Sequence, residues 1–294
     1  MTARALLSAG ASKVYILGRR QSTLDAATSD NPCLISIQCD ITSKMALQAA
    51  VDHITQDAGY INLLVANSGT FGPAATFAPN QSVSELRKTM FDNTSMQDFN
   101  DVFMVNTTAT YFSMLAFLEL LDAGNKHALT SPSHFGAPIK PGTHVPSIQS
   151  QIIVTSSVGA FRRDNLSPPA YTASKAAVTH LVKLTSSGLA THGIRVNALA
   201  PGCKFFLPRF RAPRSKGLMR SAGFPSEMTD SILSSRDPSM ETLDDAEFIP
   251  ARRFGSEEEM GGTMVYLASR AGAFCNGMVL VNDGGRLGVT VSTY

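Results

Sequence analysis

No apolar run in this chain approaches the eighteen or more residues that a membrane-spanning helix needs, which argues against a membrane protein. The opening stretch carries one short apolar patch, Ala5-Leu6-Leu7, with too little behind it for a secretory signal. The four cysteines, Cys33, Cys39, Cys203 and Cys275, show neither metal-ligand nor paired spacing. Buried thiols in a reducing, cytoplasmic setting are therefore expected, with no bound metal. The formal net charge of +2 is too small to point to nucleic acid. There is no internal repeat and no low-complexity tract. The remaining class is a single α/β domain of 294 residues, long enough to bury a sizeable core.

Apolar runs of strand length occur at Val14 to Leu17, Leu34 to Cys39, Ile61 to Ala66, Ile152 to Thr155, Ile194 to Leu199 and Met278 to Val281. Helical periodicity fills Met45 to Thr55, Gln97 to Leu121, Ala170 to Thr191 and Glu257 to Ser269, and Ser95-Met96-Gln97-Asp98 reads as a helix N-cap. Alternation of this kind predicts a parallel sheet covered on both faces. Asp122 to Ser150, rich in Gly, Pro, Ser and His, reads as a surface excursion within that one domain.

Chemistry concentrates at Tyr171-Thr172-Ala173-Ser174-Lys175, fourteen residues after Ser157 at the end of the apolar run from Ile152. On a helix, Tyr171 and Lys175 lie one turn apart on one face. A cation within about 4–6 Å favours a phenolate, moving Tyr171 from its usual value near 10 toward efficient proton transfer. Ser157 could then hold a carbonyl oxygen for Tyr171 to protonate. The same spacing is common on any amphipathic helix; the strand-terminal Ser156-Ser157 and the apolar helix after Lys175 narrow the reading.

These residues resemble those of the short-chain dehydrogenase/reductase family, and the likeness spans nearly the whole chain. It includes Leu17-Gly18-Arg19-Arg20, Asp40-Ile41-Thr42, Ala66-Asn67-Ser68-Gly69, Asn106, the Ser157/Tyr171/Lys175 set, Asn197 to Gly202 and Asn282-Asp283-Gly284-Gly285. Its texture is closest to fungal 3-oxoacyl-thioester reductases. The resemblance implies a Rossmann-like, doubly wound parallel sheet. It also implies ketone–alcohol interconversion on a small organic or acyl substrate, in fungal secondary metabolism, by a homodimer or homotetramer assembled through the helices carrying Asn106 and Tyr171. By resemblance Asn106 holds a water that links Lys175 to solvent, and Lys175 also binds the nicotinamide ribose. Asp40 meets the adenine amino group, Asn67 and Gly69 pass the adenosine ribose, and Pro201-Gly202 opens the loop over nicotinamide. Gly18 stands where an NAD-preferring protein carries an acid. With Arg19 and Arg20 available to grip a 2′-phosphate, NADP(H) is the expected cofactor, the alternative being two solvated arginines.

Three departures qualify the resemblance. The first strand and the Gly-rich turn that would hold a pyrophosphate do not precede the helix that ends near Gly10, a C-terminal helix glycine. The Ser157-to-Tyr171 spacing is one longer than usual, which puts an added residue between Arg162 and Pro169. An atypical insert, residues 203–223, carries Lys204, Arg209, Arg211, Arg214, Lys216 and Arg220 and no acid, and the family pattern resumes at Phe224 to Thr229. A translated intron is the favoured reading of the insert, ahead of a basic lid for an anionic substrate or an exposed loop. Two functional readings follow: a working NADP(H)-dependent ketoreductase, or a non-catalytic or unstable relative that keeps the fold's partner surface.

Overall fold

The computed structural model describes residues 1–78, 80–140, 142–165, 167–202 and 237–294. The basic insert, the resumption at Phe224 to Thr229 and Cys203 lie outside the described residues.

Six parallel strands are described, each followed or preceded by helix: β1 Val14–Gly18, β2 Leu34–Gln38, β3 Leu63–Ala66, β4 Gln151–Thr155, β5 Arg195–Pro201 and β6 Val279–Asn282. They form a two-stranded sheet, β1-β2, and a four-stranded sheet in the order β3-β4-β5-β6. The register runs Leu17↔Ile37 in the first, Val154↔Ala198 and Leu199↔Leu280 in the second. Among the described residues neither β1 nor β3 has a ladder partner on its other edge. Both strands are only half-buried, whereas β4 and β5 are almost wholly buried.

Among the described residues the α-helices are α1 Thr2–Ser8, α2 Gln21–Thr28, α3 Lys44–Asp57, α4 Val83–Arg87, α5 Met96–Phe103, α6 Thr110–Ala116, α7 Leu118–Ala128, α8 Pro169–Gly188 and α9 Glu257–Ala268. Gly10, at φ +99°, follows α1 in the left-handed conformation a helix-ending glycine supplies. Ser95 and Ser256 cap α5 and α9 by accepting from the amides of Asp98 and Glu259. Among the described residues three apolar clusters join these layers. Ile152 and Val154 of β4 meet Val178 and Val182 of α8 in one, while Ile153 on the opposite face meets Met264 and Leu267 of α9 in another. Full burial of each such side chain contributes about 1.5–3 kcal/mol. The third gathers Leu47, Val51 and Ile54 of α3 with Phe117 and Leu120, and residues of both sheets, Leu17 and Leu64, pack against it.

The structure corrects three local expectations. The helix expected to run unbroken from Gln97 to Leu121 is divided: α5 passes into a π-helical segment, Met104–Ala109, then α6, and the chain bends at Phe117 before α7. A π segment widens the turn without altering apolar spacing enough to show in sequence. Second, helix continues through Asp122 to Ala128, where a surface excursion was expected. Gly124 and Asn125 look like loop residues but serve packing. A Cβ at Gly124 would lie 2.2 Å from the Ile61 carbonyl oxygen, and Asn125 accepts from the Ser150 amide at 2.7 Å and donates to the Gly193 carbonyl at 2.8 Å. Third, the expected buried thiols divide: Cys39 is buried, Cys275 half-buried and Cys33 exposed, all free.

Candidate active site

β4 ends at Thr155, and the chain turns sharply through Ser157, whose Oγ caps the short 3₁₀ turn Val158–Ala160 by accepting from the Gly159 amide at 3.0 Å. That leaves the Ser157 hydroxyl hydrogen to donate outward. The neighbouring Ser156 is committed elsewhere: its Oγ bonds Thr179 Oγ1 at 2.6 Å and donates to the Lys175 carbonyl at 3.3 Å. Pro168-Pro169 starts α8 with the preset φ that suits a first helical turn. Tyr171 and Lys175 follow on its inner face.

Asn106, Ser157, Tyr171 and Lys175 are all buried and come together here. A Cβ placed on Gly159 would lie 3.3 Å from both Ser157 Oγ and Tyr171 Cε1, so serine and phenol flank one small space. Lys175 Nζ is 5.8 Å from the Tyr171 ring centroid and donates to the Thr155 carbonyl at 2.7 Å. The lysine residue is only 4% exposed, and burial pushes its ammonium down to about 8. It still carries its proton at neutral pH. Thr155 Oγ1 donates to Asn67 Oδ1 at 2.9 Å, which ties the end of β3 to the strand that holds Lys175.

The side chain of Asn106 is not on an exposed face. In the π-helical segment its Oδ1 accepts from the Thr70 amide at 2.8 Å, and its Nδ2 donates to the Thr70 carbonyl at 2.9 Å and to Ser174 Oγ at 2.9 Å. An open depression of 760 Å³ lies alongside, lined by Thr70, Gly72, Asp98 and Val102 but not by Ser157, Tyr171 or Lys175.

The other expected residues stand at the carboxyl ends of their strands. Arg19 and Arg20 are exposed just after β1. Asp40 follows β2; hydrogen bonds from the Thr42 amide and hydroxyl, then the charge of Arg19, hold its carboxyl below the usual range. Pro201 ends β5, and the Gly202 amide donates to the Asn282 carbonyl at 2.8 Å. A Cβ on Gly202 would approach Asp283 Cα and Cβ to 2.5 Å, so only glycine fits that turn.

Two residues escaped sequence reasoning. Ser174 receives the Asn106 bond and donates to the Tyr171 carbonyl at 2.7 Å, joining the two helices. Phe71 lies with its ring centroid 4.7 Å from that of Tyr171 and so forms one wall of the site. Ser174 had a signal, since it lies one turn beyond Tyr171 on the same helix face. Phe71 had none beyond being aromatic.

The site can therefore hold a polar oxygen at Ser157 and move a proton at the Tyr171 hydroxyl beside a buried cation. The profile of the short chain dehydrogenase family matches residues 1–129 and 144–204. A protein of Stachybotrys chartarum, short-chain dehydrogenase/reductase SAT3, is 55% identical over 291 residues, covering 99% of this chain and 99% of its own length. Short-chain dehydrogenase/reductase PhomF of Diaporthe leptostromiformis is 40% identical over 298 residues, covering 100% of this chain and 89% of that protein. Among solved structures, the Pseudomonas aeruginosa RhlG/NADP active-site complex matches with a TM-score of 0.69 at 25% identity, over 97% of this chain and 90% of that one.

Proposed function

We propose, on the premise that this chain belongs to the short-chain dehydrogenase/reductase family and is an oxidoreductase interconverting a ketone and an alcohol, that it uses NADP(H) with Tyr171 as its acid and base. The observation that carries this reading is the buried Lys175 ammonium beside the Tyr171 ring, across from the Ser157 hydroxyl.

The residues present fit a dinucleotide at its two ends. At Gly69 an added Cβ would crowd Asn106 Oδ1 at 3.2 Å and Lys175 Nζ at 3.5 Å, so the backbone passes close to the lysine as a ribose-binding wall would require. Tyr171 and Lys175 would hold the nicotinamide ribose, with Pro201 and Gly202 beyond it. Asn67 would border the adenosine ribose, Asp40 the adenine amino group, and Arg19 with Arg20 a 2′-phosphate. A bound nicotinamide supplies the hydride chemistry.

In reduction, Ser157 orients the carbonyl by donating its hydroxyl hydrogen to the oxygen. Tyr171 gives that oxygen its proton as negative charge develops there, and Lys175 stabilises the phenolate left behind. The backbone around Asn106, loosened from regular helix by the π segment, offers a place for the water that links Lys175 to solvent; Lys175 passes its own proton to the Tyr171 phenolate and regains one from that water. Phe71, against the Tyr171 ring, presents an apolar face to the site. The apolar side chains Met96, Phe99 and Met104 are exposed on α5 and the segment after it, which supports pairing with a second copy as a homodimer or homotetramer. Similarity to fungal relatives supports a role in fungal secondary metabolism on a small-molecule ketone or alcohol. Thermal shift with NADPH and NADH tests the cofactor: NADPH should raise Tm more at equal concentration, and an equal or larger rise with NADH would reject the NADP(H) assignment.

A further inference from the structure

We propose that Val291–Tyr294 is a brace that sets the position of Ser157, with Thr293 as its positioning residue. The loop that follows Ser157 is not held by its own contacts alone. Arg162 and Ser292 form an antiparallel bridge. On one side of it the Arg163 amide donates to the Val291 carbonyl at 2.9 Å, and on the other the Thr293 amide donates to the Phe161 carbonyl at 2.7 Å. The Thr293 hydroxyl donates to that same carbonyl at 3.3 Å, and the rings of Phe161 and Tyr294 meet edge to face at 5.5 Å.

This short ladder faces a loop that carries an unfavourable element. The Arg162 side chain has no exposure and pairs with Asp164, yet its two terminal guanidinium nitrogens have no hydrogen-bond partner among the described residues. A buried donor without a partner has given up its bonds to water and gained none in exchange, which is unfavourable. Left to itself, the loop would gain by turning Arg162 toward water. The backbone bonds to Val291 and Thr293 oppose that rotation. Because Gly159 donates to Ser157 Oγ from within the same loop, loosening it displaces the serine hydroxyl.

The brace is itself anchored on the chain before it. Ser292 Oγ donates to the Leu287 carbonyl at 3.2 Å, and the Leu287 and Gly285 amides donate to the Asp283 carboxylate at 2.7 and 2.8 Å. Asp283 is the residue against which Gly202 is packed. One continuous set of contacts thus links the Ser157 loop to the turn after β5. Val291 and Tyr294 remain largely exposed, so the ladder is free to detach without unfolding the core.

The brace rests on Ser157 holding the substrate oxygen, and its test separates the two. Thr293→Pro removes the amide and hydroxyl donors to Phe161, while Thr293→Ser keeps both. Amide hydrogen exchange on the intact protein reads Gly159 directly. The account expects Gly159 and its neighbours to exchange about tenfold faster in Thr293→Pro, with α8 unchanged and Thr293→Ser like the unaltered protein. With a ketone as substrate, KM should rise about fivefold or more with kcat within about twofold and the NADPH half-saturation unchanged. Unchanged exchange at Gly159 overturns the brace whether or not turnover is seen. Faster exchange with unchanged KM overturns its positioning role, and absence of turnover in the unaltered protein speaks against the catalytic reading while the exchange result still decides the brace.

Discussion

Asn106 and Ser174, 68 residues apart in sequence, are joined by a 2.9 Å hydrogen bond that fastens the π-helical segment to α8 one turn beyond Tyr171. The same amide satisfies both the N–H and the C=O of half-buried Thr70, so two backbone groups and the buried Ser174 hydroxyl depend on one side chain.

Replacing Asn106 with Leu removes all three bonds and leaves the Thr70 backbone without partners. The expected loss of stability is about 2–4 kcal/mol. Asn106→Asp should fare no better, since a carboxylate can accept from the Thr70 amide but cannot donate to its carbonyl or to Ser174. Urea midpoints with an unchanged m-value check both; a loss below about 1 kcal/mol in each would contradict the linking role.

Lys175 lends itself to a pH test. Its ammonium titrates near 8 in the fold, against an ordinary value of 10.5. Between those values the unfolded chain holds a proton that the native protein has released, so this group makes stability rise with pH across the window from about 8 to 10.5. The charged form costs about 3 kcal/mol at pH 7. Lys175→Met escapes that cost but loses the bond to the Thr155 carbonyl, worth about 1 kcal/mol. The variant should therefore be the more stable protein at pH 7 while reducing no ketone, and its lead should vanish by pH 10. A less stable variant at pH 7 would show that the ammonium is better solvated than its burial implies.

Gly124 sits within α7, where alanine would gain up to about 1 kcal/mol in helix propensity. Against that, its Cβ would press to 2.2 Å on the Ile61 carbonyl oxygen, a backbone atom that cannot rotate aside. Overpacking of that kind costs about 1–3 kcal/mol. Gly124→Ala should lower Tm by a few degrees; a rise would mean that α7 shifts freely against the segment before β3.

Much of this architecture was legible because apolar strand runs and helix caps are local signals. The six strands fall where the runs from Val14, Leu34, Ile61, Ile152, Ile194 and Met278 placed them, each within a residue or two at its ends. What was not legible depends on distant partners. The π segment Met104–Ala109 carries Asn106, which bonds distant Thr70 and Ser174, and the helical Gly124-Asn125 packs on or bonds distant Ile61, Ser150 and Gly193. Phe71 reaches Tyr171 only through the fold.

The proposed preference for NADP(H) rests on Arg19 and Arg20, both exposed after β1. Changing the two together to Ala should weaken NADPH about tenfold or more and leave NADH nearly untouched, because only NADPH carries the 2′-phosphate that a guanidinium grips. Calorimetric titration of both cofactors checks this. Equal losses for the two would reduce the arginines to surface residues.

The central claim is that the Tyr171 hydroxyl supplies the proton. NADPH consumption followed at 340 nm with trans-1-decalone and ethyl acetoacetate, in the unaltered protein and in Tyr171→Phe, tests it most directly. The account predicts turnover in the former and a fall of at least about a thousandfold in kcat/KM in the latter, a barrier increase of about 4 kcal/mol, with NADPH affinity changed by less than about threefold. A Phe variant that retains activity within about tenfold of the unaltered protein would contradict it.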